Sequence, residues 1–248
     1  MSPSTETHET RARAWEVKFL VAPDLAEQIR DWARARLMPD PNALGAHGDS
    51  YRITSLYFDT EELDVFRRQG SYGRGKYRIR RYGQSELAFL ERKLRTRRQL
   101  TKRRSIVELD DLWRLTGAEA KPGWAGYWFH RRLLLRGLGP LCQVSYERTA
   151  RVAMTPYGAI RLTLDEDLRA RPTDGLCFSA PGGTPICAGQ VILELKFRYA
   201  MPTMFKCLVE EFALNPQTVS KYRLAVTALS LAPAALATPV ENCAYEYA

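Results

Sequence analysis

A chain of 248 residues that is 45% apolar, 26% charged and 10% aromatic has the composition of a folded globular protein, which excludes a disordered or fibrous one, and it has room for one large domain or two small ones. Lys and Arg outnumber Asp and Glu by 37 to 28, and thirteen basic residues stand between Arg74 and Arg104 against Glu86 and Glu91 alone, so an anionic partner is expected. No stretch reaches the roughly 20 apolar residues of a spanning helix. The five cysteines are widely spaced and form no C-x-x-C pair, which speaks against a zinc or redox centre; the expected location is cytoplasmic, with peripheral membrane attachment left open.

In chain order, polar residues 1–13 predict a disordered tail. Trp15 to Phe19 alternate apolar and charged residues as a half-buried strand does, and Pro23 opens a helix through about Leu37. Residues 39–50 form a loop, Tyr51 to Phe58 a strand, and Glu61 to Arg68 a short helix. Three close strands, 76–82, 86–95 and 101–108, are expected to pair antiparallel. Helices follow at 109–116 and 121–137, strands at 141–153, 159–166 and 190–198, and helices at 202–213 and 218–230, with an Ala- and Pro-rich tail from Leu231. The class is α+β: one domain, 14–230, between two tails.

The strands share a pattern. Glu16/Lys18, Lys76/Arg78/Arg80, Glu91/Lys93/Arg95, Lys102/Arg104, Tyr146/Arg148, Arg161/Thr163/Asp165 and Glu194/Lys196/Arg198 each lie two residues apart, hence on one face of a strand, and the residues between them are largely apolar; Arg92 is an exception. One such strand is an ordinary wet sheet face. Seven of them, rich in the residue best suited to bidentate phosphate contacts, fit a sheet curled with its charged face inside and its apolar face against helices. Such a tunnel would hold a phosphate chain, with the few carboxylates available for a divalent metal.

The ordered segments WEVKF, SLYFDT, KYRIRRY, LERK, TKRR, SYERTA, IRLTLD, LELKF and SKY resemble the VTC-type polyphosphate polymerase domain of the triphosphate tunnel metalloenzyme (CYTH-like) superfamily, over about residues 14–230. That resemblance implies an antiparallel β-barrel tunnel with helices packed around the outside, in which the γ-phosphate of ATP is moved onto a polyphosphate chain with Mn²⁺ or Mg²⁺. Carried onto this sequence, it makes Lys18, Arg78, Arg80, Lys93, Lys102, Arg148, Arg161 and Lys221 phosphate ligands, supported by Tyr146 and Ser220. Glu194 becomes the metal carboxylate, with Glu16 and Glu91 as weaker candidates, and Asp165 orients a neighbouring cation. Arg78, Arg80, Lys93 and Glu194 form the catalytic set.

There are departures from the family pattern. Ala14 stands where the hydrolytic branch carries the first Glu of E-x-E-x-K, which favours the polymerase-like branch, and Thr218 replaces a basic residue before S-K. Two alternatives remain open, an inorganic or nucleoside triphosphatase and a non-catalytic polyphosphate or inositol-phosphate module. Specific nucleic-acid recognition is not expected, because aromatics do not alternate with the cations of the 74–104 patch. A separate membrane protein is a possible partner. Plainer roles also stand: Ser220 as a helix cap, Asp59 as a turn or cap residue, Glu194 as a cross-strand ion pair, and no role for the histidines.

Overall fold

The computed structural model describes residues 7–10, 15–41, 43, 48–95 and 100–233. The strands are β1 (Thr7–Thr10), β2 (Trp15–Val21), β3 (Met38–Pro39), β4 (Ser50–Asp59), β5 (Gly75–Tyr82), β6 (Leu87–Arg95), β7 (Leu100–Glu108), β8 (Gly139–Thr155), β9 (Gly158–Pro172), β10 (Thr184–Pro185) and β11 (Val191–Phe197). The helices are α1 (Pro23–Arg36), α2 (Asp64–Arg67), α3 (Tyr127–Arg136), α4 (Thr203–Glu211) and α5 (Lys221–Ala228). All strands join one antiparallel sheet in the order β1-β7-β6-β5-β4-β8-β9-β11-β2, with β3 added to β8 and β10 to β9.

The sheet is curled rather than closed by a continuous ladder. β6 and β2 stand six places apart in the order, a separation on the order of 29 Å in a flat sheet. Yet Lys93 Nζ on β6 lies 2.7 Å from Glu16 Oε2 on β2. Among the described residues the curled wall is therefore bridged by a side-chain ion pair rather than by a continuous ladder, where the sequence suggested a barrel.

The outer face is covered as the apolar stripes require. Ala26, Ile29, Trp32 and Ala33 of α1, with Phe205 and Leu208 of α4, pack on Val17, Phe19, Leu162, Leu164, Leu193 and Leu195. Trp32 Nε1 donates to Glu211 Oε2 at 3.1 Å, joining α1 to α4. On the other side Phe129 of α3 meets Phe58 and Tyr77 with ring centroids 5.7 and 6.0 Å away. Gly137, at φ 57°, ends α3 in the left-handed conformation that glycine adopts without strain.

Five expectations change. Helices pack outside only in part: α1, α3 and α4 do, whereas the first turn of α5 meets the inner face. Thr7–Thr10, placed in a disordered tail by composition, pair with β7. Segment 109–116 is a 3₁₀ helix, and the helix foreseen at 61–68 shrinks to one turn between Leu63 and Arg68, both at positive φ. β9 runs to Pro172 rather than stopping at 166, because a bulge around Asp167, at φ 46°, resets its alternation and puts Leu168 and Ala170 on the face that carries Asp165. Residues 1–6, 11–13 and 234–248 of the terminal tails and the 96–99 part of the basic hairpin lie outside the described residues.

Candidate active site

β5 places Lys76, Arg78 and Arg80 on the inner face, with Arg81 turned outward to the hairpin carbonyls of Gln84 and Ser85. Register then decides their company. Arg78 stands opposite Glu91 on β6, and Glu91 stands opposite Arg104 on β7. Glu91, 2% exposed, accepts from Arg78 Nε at 2.7 Å, Arg104 Nε at 2.7 Å and Lys102 Nζ at 2.8 Å. Burial alone would raise its pKa, but Arg78, Arg80, Lys102 and Arg104 hold it well below the usual carboxylate range. With both oxygens occupied by cations, Glu91 acts here as a counter-ion.

Arg80 is only 5% exposed, and it donates to two neutral oxygens, Ser55 Oγ and Tyr146 Oη, each at 3.1 Å. Among the described residues neither Arg80 nor Lys76 makes an ion pair; Lys76 Nζ donates to Ser220 Oγ at 2.8 Å. Part of Lys76 meets water, but burial of its ammonium and the like charges of Lys18, Lys93, Arg68 and Arg78 pull its pKa from 10.5 to about 7. An interior with cations short of counter-charge is prepared for an anion.

A second group forms where β2, β11 and β6 approach one another. Lys18 Nζ lies 3.1 Å from Glu16 Oε1 and 3.7 Å from Glu194 Oε2, and it donates to the Val219 carbonyl at 3.2 Å. Burial would depress this ammonium, yet the two carboxylates outweigh it and raise the pKa. A third group is built on Asp165, which is fully buried: Arg148 grips both its oxygens at 2.6 and 2.7 Å, and Lys221 Nζ lies 2.5 Å from Oδ2. Lys221 also sits 4.8 Å above the Tyr146 ring. Asp165 orients two cations, as expected, and its pKa is depressed because they outweigh its burial.

The structure thus brings Glu16, Lys18, Lys93 and Glu194 together, Arg78, Arg80, Glu91, Lys102 and Tyr146 together, and Arg148 and Lys221 around Asp165. Arg161 stands apart from these groups, pairing with Asp40 at 2.9 Å and donating to Tyr51 Oη at 2.6 Å. Ser220 is the N-cap of α5, accepting from Arg223 N at 3.4 Å, and it also holds Lys76. Arg104, placed on the charged face with Lys102 by its spacing but given no ligand role, joins the Glu91 group. Lys221 is buried and paired with Asp165. His130 is structural, its Nε2 lying 2.9 Å from the Gly117 carbonyl.

Could these residues hold a divalent metal? Among the described residues no cluster of three or more His, Cys, Asp or Glu is poised for one. Glu16 and Glu194 flanking Lys18 offer two hard oxygen donors. That set fits Mg²⁺ or Mn²⁺, which are commonly held by one or two carboxylates together with substrate phosphates. A separate surface cleft of about 390 Å³, lined by Glu86, Glu108, Asp110, Asp111 and Trp113, shares no residue with the tunnel, and its acids disfavour the anions the tunnel would gather.

Comparison with known proteins agrees with this architecture. A candidate adenylate cyclase from Bacillus halodurans superposes with TM-score 0.53 at 13% identity, covering 86% of this chain and 95% of that one. HpAC1 from Hippeastrum, a candidate adenylyl cyclase described as having a dominant triphosphatase activity, gives TM-score 0.48 at 16% identity, again over 86% and 95% of the two chains. No curated protein matches by sequence. The family model of the VTC domain matches residues 13–230, which takes in every cation of the tunnel, and the chain belongs to the VTC domain family.

Proposed function

We propose that the tunnel binds the triphosphate of ATP and transfers the γ-phosphate to a polyphosphate chain. The observation that carries this reading is Arg80: a buried guanidinium whose hydrogen bonds go to two hydroxyls, and which, unlike Arg78 and Arg148, has no ion-pair partner of its own among the described residues, so that phosphate oxygens would supply one. Phosphoryl transfer asks little covalent chemistry of a protein, so positioning and charge stabilisation suffice.

In this mechanism Arg78, Arg80 and Lys93 hold the γ- and β-phosphates, and Lys102 and Lys18 bind their outer oxygens. Arg148 and Lys221 align the acceptor, Tyr146 and Ser220 fix Arg80 and Lys76, and Arg161, held by Asp40 and Tyr51, stands outside that group. Glu194 and Glu16 would hold Mn²⁺ or Mg²⁺, which supplies charge neutralisation at the phosphates when bound. An acceptor phosphate oxygen attacks the γ-phosphorus directly, without a side-chain nucleophile, as the bond from the γ-phosphorus to the bridging oxygen breaks and ADP leaves.

Incubating the protein with ATP and Mn²⁺ and resolving the products on a gel tests the reading. Polymer is the expected product. Released phosphate alone would make the same site a triphosphatase, and retention of nucleotide without turnover would make it a binding module.

A further inference from the structure

The inner face also gathers aromatic rings at one end. Tyr51 on β4, Tyr82 on β5 and Phe89 on β6 occupy three adjacent strands, with centroids 5.8 Å apart for Tyr51 and Tyr82 and 5.0 Å for Tyr82 and Phe89. Ile106 on β7 stands directly opposite Phe89. These positions share the face of the cations: Tyr51 is the cross-strand partner of Arg148, Phe89 is that of Arg80, and Tyr82 follows Arg80 by two residues. They also mark the end of the wall, since β5 stops at Tyr82 and β4 starts at Ser50.

The patch is rigid. Tyr51 Oη accepts from Arg161 Nη2 at 2.6 Å and Tyr82 Oη from Arg104 Nη2 at 3.0 Å, so both rings are tethered while remaining only half-buried. A bare phosphate chain gains nothing from an aromatic surface. A nucleotide does, because its planar base stacks on such rings while its phosphates reach the neighbouring guanidiniums.

We propose that Tyr51 and Tyr82, backed by Phe89 and Ile106, form a subsite for the base of a nucleoside triphosphate, so that the tunnel takes a nucleotide in preference to the same phosphates without a base. This rests on the reading above that the cations hold a triphosphate. Ring area then sets preference, with purines ahead of pyrimidines.

Calorimetric titration with ATP, ribose 5-triphosphate and inorganic tripolyphosphate at one salt concentration separates the two ideas. Wild-type protein should bind ATP on the order of tenfold tighter than ribose 5-triphosphate. Tyr82→Leu should erase that ratio and Tyr82→Phe should keep it, with retained tripolyphosphate binding reporting an intact tunnel. Equal affinity of wild type for ATP and ribose 5-triphosphate overturns the subsite and leaves the phosphate site standing; that measurement needs no variant, so it decides even if Tyr82→Leu does not fold. A preference that survives Tyr82→Leu overturns the assignment to these rings. Binding of none of the three overturns the phosphate reading and the subsite with it.

Discussion

Arg78 and Glu91 face each other across the β5–β6 ladder, and Arg78 Nε donates to Glu91 Oε2 at 2.7 Å. Glu91 also neutralises Lys102 and Arg104. Glu91→Gln should therefore destabilise the empty protein by about 2–3 kcal/mol, somewhat less than the loss of a partner to fully buried charges, because its three cations are part-solvated. Tripolyphosphate should restore part of the loss by replacing the missing charge. Urea unfolding with and without tripolyphosphate reads both effects, and equal midpoints for variant and wild type would contradict the counter-ion role.

Asp165→Asn strikes a drier site. Its partners Arg148 and Lys221 are themselves about nine-tenths buried, so the expected cost is about 3–5 kcal/mol. Glu91 and Asp165 are both held below the ordinary carboxylate range. As pH falls through about 4, the unfolded chain takes up these protons before the folded one. The stability they give is therefore complete above about pH 5 and is lost progressively below it. Urea midpoints measured from pH 7 to pH 3 should fall, and Asp165→Asn should flatten the fall.

Lys76 carries two effects of opposite sign. Its pKa is about 7 when folded against an ordinary 10.5, so between these values the unfolded chain holds the extra proton and folding gains stability as pH rises. A polyanion favours the ammonium, so tripolyphosphate affinity should fall as pH rises from 7 to 9. Lys102 and Tyr82, each brought to about 8, add their own slopes. Lys76→Met should lessen the pH dependence of binding; an unchanged slope would assign it to those two groups instead.

Glu194→Gln should abolish turnover while leaving part of nucleotide binding intact, because Arg78, Arg80 and Lys221 do not depend on Glu194 for their contacts. Product gels and calorimetry on one preparation check this. Full turnover in the variant would remove Glu194 from the metal set.

The charged face was legible wherever alternation ran unbroken, as in β5 and β11, because period two alone assigns each side chain to a face. It failed at β9, where one bulged residue resets the parity and hides the strand's last third. Arg92 broke the pattern because it lies on the outer face of β6, opposite Tyr77 and Arg103, beneath α3. The grouping of Glu16 with Lys93 follows from the curl, which no local pattern records. The aromatic rim was invisible for a related reason: its rings come from three strands and only ladder register brings them together. Asp59 was foreseen as a cap, and its oxygens accept from the amides of Thr60, Val65 and Phe66.

That same carboxylate accepts the Tyr222 hydroxyl, and Tyr222 stacks beside Tyr57 with centroids 5.5 Å apart. Asp59 is thus a rivet between the first helical turn after β4 and the last helix of the fold. Ser220 and Lys221 enter the tunnel because a bond made outside the cationic cluster fixes the helix that carries them. A change at Asp59 would touch no phosphate, yet it would unseat Lys221, assigned to hold one, and Ser220, which steadies Lys76.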